Sequence, residues 1–157
     1  MKILRYLVFM ALASTMCLAC SSGDDDAPVD KPGNEPTVPK PTNWTLPADL
    51  HYSSMTVVVD ESVMPTGVAV SADDLIGAFV ADQCRGVAQP IIDIDGRYRF
   101  NIVVHSTVSD NNRTDLQVHL KYYSDAKKHI YTTATPFAFV YNGKLGSVEQ
   151  SYAPQWQ

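Results

Sequence analysis

Cysteine is scarce in this sequence of 157 residues, which contains only Cys17, Cys20 and Cys84. The first two lie at the end of a hydrophobic N-terminal segment, so Cys84 is the one thiol expected in the folded part. A single cysteine cannot form an internal disulfide. We therefore expect the mature fold to be held together by its hydrophobic core rather than by covalent cross-links.

Helical periodicity and catalytic motifs are also missing. No stretch of ten or more residues after residue 19 has the spacing of apolar residues that an amphipathic helix requires. The sequence contains no Gly-x-Ser-x-Gly nucleophile turn, no His-Glu-x-x-His zinc motif and no glycine-rich phosphate loop. These absences favour a non-catalytic domain without a cofactor, although a hydrolase with an unrecognised site is an alternative.

Basic residues are outnumbered by acidic ones. The chain carries 12 Lys and Arg against 17 Asp and Glu, which gives a formal net charge of -5. Removal of a leader that contains Lys2 and Arg5 leaves 10 basic residues and a balance of -7. A negative surface repels phosphate groups, so we expect neither nucleic acid nor an anionic membrane surface as a partner.

Residues 1–19 have the layout of a secretory signal peptide. Two basic residues precede the apolar run 7–12, and small residues lead to Cys20. The segment is too short and wrongly flanked for a transmembrane helix. Its end resembles a bacterial lipobox, which implies cleavage before Cys20 and a lipid anchor on that cysteine. Cys17 stands where a lipobox usually has leucine, and a plain cleaved leader with an incidental cysteine is the alternative.

Residues 20–41 have the composition of a disordered tether. Five prolines occur among Gly, Asn, Glu and Lys, and such a segment cannot bury a core. Close to Cys20 lies an acidic run, Asp24, Asp25 and Asp26. This run resembles the export signal of Bacteroidota lipoproteins, which implies a protein of the outer membrane that is exposed at the cell surface. A solvated linker is the alternative, and both interpretations can hold together.

The strand patterns lie in residues 42–157. Apolar and polar residues alternate in 53–60, 97–105 and 115–123, and turn residues separate these segments. An Asp-Gly pair directly before the second segment is a strong hairpin signal. The run 73–88 is apolar on both faces and predicts two central strands. Seven to nine short strands without helices predict an all-β fold, an immunoglobulin-like antiparallel β-sandwich.

A short sequence signature accompanies the central strands. Residues 76–80 are IGAFV and residues 84–88 are CRGVA, and the acidic pair Asp73 and Asp74 precedes them. This run resembles a β-sandwich module that recurs in surface lipoproteins and secreted proteins of Bacteroidota. The likeness covers most of residues 44–154. It implies a sandwich that serves as an accessory rather than a catalytic part, and it assigns no ligand-binding residue.

Arg85 is the conspicuous charge in this apolar run. A buried guanidinium group without a partner is strongly destabilising. We therefore expect an acidic side chain to hold Arg85. Asp74, or its neighbour Asp73, precedes the paired strand and is the predicted partner.

A possible recognition face follows from the two one-sided strands at 97–105 and 115–123. Residues at every second position of a strand share a face. The pattern predicts one polar surface formed by Tyr123, His119, Lys121, Arg99 and Asn101. Tyr123 is the ring expected to be exposed, where it would suit sugar hydroxyls or a protein partner. The alternative is a polar face that only keeps the domain soluble.

Two patterns suggest metal binding only weakly. His105 and His119 are expected on neighbouring strands, but two histidines without a cysteine or carboxylate form an incomplete zinc site. Residues 93–96 resemble the start of a calcium loop, yet its twelfth position is Val104 rather than Glu. We therefore predict exposed sheet histidines, a hairpin turn and no bound metal.

Together these features predict a surface lipoprotein with a binding role outside the cell. The favoured hypothesis is adhesion, assembly or protein binding by the β-sandwich. A glycan-binding accessory lipoprotein of a carbohydrate uptake system is the second hypothesis, and a hydrolase is the third. An exposed row of aromatic rings would favour a glycan, whereas an unpaired edge strand with an apolar patch would favour a protein.

Overall fold

The computed structural model describes residues 36–110 and 113–157. The leader, the lipidation site Cys20 and the acidic run at residues 24–26 lie outside the described residues, so their proposed roles stay predictions. Within the described part of the chain, no helix is long and apolar enough to span a membrane.

Nine strands in the described residues form two sheets that enclose one core. The first sheet has the strand order β4-β5-β1-β9, and the second has the order β3-β2-β6-β7, with β8 pairing with the start of β6. Two short 3-10 turns, Glu61–Val63 and Val108–Asp110, follow β1 and β5. The strands are β1 (Leu50–Asp60), β2 (Leu75–Val80), β3 (Gln83–Ala88), β4 (Ile91–Ile92), β5 (Tyr98–Thr107), β6 (Gln117–Ser124), β7 (His129–Thr132), β8 (Phe137–Ala138) and β9 (Lys144–Leu145).

This architecture confirms the predicted all-β sandwich, and its immunoglobulin-like topology stays a prediction. The described ladders are antiparallel except that of β1 and β9, which run parallel. The predicted hairpin before β5 is present, because Gly96 N donates to Asp93 O at 2.9 Å and Gly96 has a φ of 79°. Residues 67–70, between β1 and β2, form the end of a turn and an irregular segment rather than a strand.

The core lies between the sheets and follows from strand alternation. Fully burying one aliphatic side chain stabilises a fold by about 1.5–3 kcal/mol, so this layer holds the sandwich together. The first sheet contributes Val57, Val59, Phe100, Ile102 and Val104, all of them fully buried. The second sheet contributes Ile76, Ala78, Val118, Leu120 and Tyr122.

Gly86 allows the two sheets to approach each other closely at one side of the sandwich. Strand β3 is the edge strand of the second sheet, and at Gly86 it lies against β5 of the first sheet. A Cβ atom at Gly86 would clash with the main-chain oxygen of Val103 and would lie 3.3 Å from Ile102 Cγ2. Main-chain atoms of a paired strand cannot move aside cheaply, so a residue without a side chain is required at this contact.

Residues 36–47, hereafter the strap, run over the outer face of the second sheet. Val38 N donates to Lys128 O at 2.6 Å. Further along the strap, the ring of Trp44 packs edge-on against Phe79, with ring centroids 5.4 Å apart. The contacts of the domain therefore begin a few residues before the predicted boundary at residue 42, because the last part of the predicted tether is docked on the sheet.

Candidate interaction surface at the edge of the first sheet

The predicted polar face does not exist as one surface. Arg99 and Asn101 lie on β5, whose neighbours β4 and β1 belong to the first sheet. His119, Lys121 and Tyr123 lie on β6, in the second sheet. Consecutive strands of a sandwich often belong to opposite sheets. The prediction that these five side chains are neighbours is therefore wrong.

Tyr123 is fully buried, although its strand pattern predicts an exposed ring. It points away from the core, but Leu75 of β2 and Ile130 of β7 pair with it on either side. The strap borders a cavity of about 320 Å³ that Ile130 also lines, so it passes close to this position. Around Tyr123 the outer face of the second sheet is thus covered and apolar, which alternation within one strand cannot reveal.

Arg99 is also buried, and it belongs to an ion-pair network. Its guanidinium contacts Asp93 and lies 3.6 Å from Asp60 Oδ2. The exposed Arg97 beside it lies 3.3 Å from Asp60 and 2.5 Å from Asp95. Burial alone would raise the pKa of Asp60, but hydrogen bonds from the following turn and the two guanidinium groups lower it overall. Arg99 therefore holds the β4–β5 hairpin in place and is not available as an exposed binding residue.

Arg85 is held by Asp110 and not by Asp74. Its Nη1 contacts Asp110 Oδ2, and both side chains are nearly fully buried. The amide and the hydroxyl of Thr107 donate to the same oxygen, each at 2.9 Å. Burial alone would raise the pKa of Asp110, but the hydrogen bonds from Arg85 and Thr107 lower it overall. The expectation of an acidic partner is confirmed, and the predicted partner is wrong.

The wrong partner has a geometric cause in the hairpin of β2 and β3. Ala78 pairs with Gly86 and Phe79 pairs with Cys84, so Arg85 is the extra residue of a register shift. A bulge of this kind re-aims a side chain out of the alternation of its strand. Arg85 consequently reaches the turn after β5 rather than an acidic group at the start of its own hairpin.

Asp74 is fully buried and has its own donors. The Tyr122 hydroxyl donates to it at 2.5 Å, the Ser71 hydroxyl at 2.8 Å and the amide that follows β6 at 2.8 Å. Burial, together with the neighbouring Asp74 carboxylate, raises the pKa of Tyr122. Asp73, the other predicted partner of Arg85, is exposed and lies 3.3 Å from Lys40. Asp74 therefore joins β2 to β6 and has a structural role.

His119 and Lys121 are partly exposed on the outer face of the second sheet. Lys121 Nζ lies 4.5 Å from the centroid of the Phe79 ring, in a cation–π contact. Both side chains border an open cavity of about 340 Å³, together with Asp82 and Thr132. Groups of both charge signs line this shallow cavity, so it favours no particular ligand.

The weak metal pair is not formed. His105 lies in the first sheet and His119 in the second, so the expectation of neighbouring strands is wrong. Residues 93–96 form a hairpin turn, as predicted. Across the described parts of the chain, no group of three or more His, Cys, Asp or Glu side chains is arranged to hold a metal ion.

Three exposed isoleucines lie at β4 and the turn that follows it. Ile91 is 52% exposed, Ile92 is 66% exposed and Ile94 is fully exposed. Strand β4 is the outermost strand of its sheet, where Ile91 pairs with Arg99 and Ile92 with Tyr98. The outer side of an edge strand presents backbone N–H and C=O groups that a partner can pair with. We refer to Ile91, Ile92 and Ile94 as the isoleucine edge.

The charges around the isoleucine edge are paired within the hairpin. Asp93 contacts Arg99, and Asp95 lies 2.5 Å from Arg97. Hydrogen bonding from Arg97 lowers the pKa of Asp95, so this carboxylate stays ionised and paired at neutral pH. The hairpin tip is therefore an apolar projection whose flanking charges compensate each other.

The outer face of β5 continues this surface on the side of Ile91, whereas Ile92 pairs with Tyr98 and points to the opposite face of the sheet. Ile91 pairs with Arg99, and residues at every second position share a face, so Asn101 and Val103 lie on the same side as Ile91. Both are exposed. Asn101 is thus the member of the predicted recognition face that the structure places beside the candidate surface.

Sequence reasoning missed the isoleucine edge, although a signal was present. Three isoleucines occur within four residues, directly before an Asp-Gly turn whose tip must face solvent. Their exposure, their place at a sheet edge and the paired charges beside them make this surface the candidate site for a partner. Comparisons with models of protein families, with curated proteins and with solved structures returned no match.

Proposed function

We propose that this protein is a lipoprotein of the outer membrane, anchored through Cys20 and exposed at the cell surface, whose β-sandwich binds a protein partner. The observation that carries the proposal is the isoleucine edge. The leader, the lipobox-like ending and the acidic run support the location. This role is non-catalytic and needs no cofactor.

Burial of the isoleucine edge gives a physical reason for binding. Fully burying one isoleucine is worth about 1.5–3 kcal/mol, so three contribute at most roughly 5–9 kcal/mol. Association of two proteins costs about 4–15 kcal/mol in lost freedom, so the partner must make further contacts. The outer side of β4 offers a few of them, because a short segment of the partner can pair with its two residues through backbone hydrogen bonds, and side-chain contacts must supply the rest.

The glycan hypothesis has less support in the structure. A sugar-binding surface usually presents exposed aromatic rings on which sugar faces stack. Among the described side chains, which do not include that of Tyr52, every aromatic ring is buried or half-buried. Tyr123, the ring on which this hypothesis depended most, is fully buried. The glycan and hydrolase hypotheses stay predictions that these residues do not favour.

Substitutions in the isoleucine edge test the proposal. The lipid-free protein is immobilised, exposed to surface extracts of bacterial and host cells, and the retained proteins are identified by mass spectrometry. We expect Ile92→Asn and Ile94→Asn to abolish retention of a partner that the wild type captures. Val108→Asn is the matched control, because Val108 is 62% exposed and follows the far end of β5, roughly 30 Å from the hairpin.

Two outcomes would contradict the proposal. A partner retained equally by the wild type and both isoleucine variants would show that the site lies elsewhere. A glycan array probed with the same proteins tests the alternative hypothesis, that the domain binds a glycan. Specific glycan binding by the wild type, together with no captured protein, would replace protein binding as the function.

A further inference from the structure

The strap is joined to the second sheet by a backbone hydrogen bond and an exposed ion pair. Val38 N donates to Lys128 O at 2.6 Å, and Lys40 Nζ lies 3.3 Å from Asp73 Oδ1. Exposed ion pairs contribute little to stability. The four prolines of the strap have no N–H group, so these positions cannot extend a ladder. Polar contacts of this kind hold the strap only loosely.

Trp44 is the apolar anchor of the strap. The residue beneath it is Gly77 of β2, where a Cβ atom would lie 2.8 Å from Trp44 Cε3 and 2.7 Å from Phe79 Cε2. Real Cβ atoms do not approach ring carbons so closely, so the missing side chain at Gly77 forms a slot for the indole. Phe79 forms one wall of this indole slot and meets Trp44 edge-on.

The slot belongs to the sheet and not to the strap. Gly77 pairs with Val87 of β3 on one side and with Lys121 of β6 on the other. These ladders do not involve the strap, so the slot remains formed when the strap leaves. The strap also precedes every strand of the domain. It can therefore leave and rejoin the sheet without threading through any other part of the fold.

We propose that the indole slot accepts the strap of a second copy of this chain, so that two molecules exchange straps. The occupant follows from the structure, because the slot is already filled by the tryptophan of this segment. The contacts made between two copies are the same as those made within one, which makes such an exchange a low-cost route to a dimer.

The exchange uses a surface distinct from the isoleucine edge. Anchoring at Cys20, which belongs to the proposed function, raises the local concentration of straps at the membrane. The exchange does not require this anchoring. Its test uses lipid-free protein, so a failure of the exchange and a failure of the proposed function give different results.

Two complementary variants test the exchange in the chain from residue 20 onward, with Cys20→Ser to prevent acylation. Trp44→Ala removes the anchor and keeps the slot, whereas Gly77→Val fills the slot and keeps the strap. We expect each variant alone to be monomeric by size-exclusion chromatography with light scattering. We expect an equimolar mixture to contain a heterodimer, because the intact strap of one chain enters the intact slot of the other.

The control is the double variant Trp44→Ala/Gly77→Val mixed with Trp44→Ala, which has no intact strap and must stay monomeric. A mixture of the two single variants that stays monomeric, while both circular dichroism spectra match the wild type, would overturn the proposal. A peptide of residues 36–47 replaces Gly77→Val should that variant not fold. We expect it to bind the Trp44→Ala chain about 30-fold more tightly than the same peptide carrying Trp44→Ala. Equal binding of the two peptides, or none, would overturn the proposal as well.

Discussion

Arg85 and Asp110 form a buried ion pair that joins β3 of the second sheet to the turn after β5 of the first. The two sheets are therefore linked by charge as well as by the apolar core. Thr107 supplies two further donors to the carboxylate. Arg85 Nε is buried without a hydrogen-bond partner in the described residues. The buried positive charge of the guanidinium is therefore balanced by Asp110.

Removal of either partner of this pair is expected to destabilise the domain strongly. Arg85→Met leaves the Asp110 charge buried, and Asp110→Asn leaves the guanidinium uncompensated, so each should lower the free energy of unfolding by about 3–5 kcal/mol. Urea denaturation measures the loss. The control is Arg113→Met, which breaks an exposed pair with Asp115 and should cost below about 1 kcal/mol. Losses of that small size in both buried variants would contradict the prediction.

The stability of the domain is expected to fall in acid. The pKa of Asp60 and the pKa of Asp110 are both lowered by the fold, because hydrogen bonds and guanidinium groups outweigh burial. The stabilisation is therefore present above the pKa of an unfolded aspartate, about 3.9, and is lost as the pH falls through the lower folded value. Urea denaturation from neutral pH to below pH ~3 measures this slope. Asp110→Asn should flatten it, whereas Asp115→Asn should change it little, because solvent screens the exposed pair of Asp115 and Arg113.

The Tyr122 hydroxyl is expected to stabilise the fold through Asp74. Tyr122→Phe leaves the buried carboxylate without one donor and should cost about 1–3 kcal/mol. Tyr123→Phe is the control, because that hydroxyl lies 3.3 Å from Asp125 and its loss should matter less. Urea denaturation compares the two variants. An equal loss in both would contradict the prediction.

The same tyrosine predicts the behaviour in alkali. Burial and the neighbouring Asp74 raise the pKa of Tyr122 above its ordinary value. The protonated Tyr122 hydroxyl therefore stabilises the fold fully below the pKa of an unfolded tyrosine, about 10. This stabilisation is lost as the pH rises from there toward the higher pKa of the folded state. The pKa values of Tyr123 and Tyr152 are also raised by burial, but that of Tyr122 is raised most clearly, so an ultraviolet titration should show at least one tyrosine that ionises only with unfolding, and Tyr122→Phe should reduce that number by one. Ionisation of every tyrosine near pH ~10 in the folded protein would contradict this.

Gly86→Ala is expected to disrupt the contact between β3 and β5. The new methyl group meets the main-chain oxygen of Val103, so we expect a loss of about 3 kcal/mol or more, at the upper end of overpacking effects. Gly67→Ala is the comparison, because nothing lies within 4 Å of a Cβ there and only the positive φ of 75° opposes it. That change should cost about 1 kcal/mol. A lower melting temperature for Gly67→Ala than for Gly86→Ala would contradict this prediction.

Cys20→Ala is expected to release the protein from the membrane fraction. The lipid anchor requires the thiol of this residue, whereas Cys17→Leu should leave the anchor intact and serves as the control. Replacement of Asp24, Asp25 and Asp26 by Ala should remove the sensitivity of the protein to protease added to whole cells. Fractionation and digestion patterns equal to those of the wild type in both experiments would contradict the surface lipoprotein.

The strands could be predicted because their alternation is a local property. The pattern of β5 places Phe100, Ile102 and Val104 on one face, and all three are fully buried. An Asp-Gly pair identifies its hairpin in the same way, since two residues determine the turn. These signals extend over a few residues and do not depend on the partner of the strand.

The surfaces could not be predicted because they depend on distant parts of the chain. Alternation places Tyr123 on the outer face correctly, but neighbouring strands and a segment some eighty residues earlier determine what covers that face. Similarly, a local register shift decides that Arg85 meets Asp110 rather than Asp74. Neither effect leaves a pattern in the residues concerned.

The contact at Gly86 also bears on how this domain avoids self-association through its backbone. Edge strands are the usual templates for aggregation, and β3 is one of the longer strands of the second sheet. Because β3 lies against β5 at Gly86, an incoming strand would first have to separate the two sheets. Strand β4 is only two residues long and cannot template an extended ladder. Apolar side chains can therefore be displayed beside β4 with little risk of amyloid-like stacking.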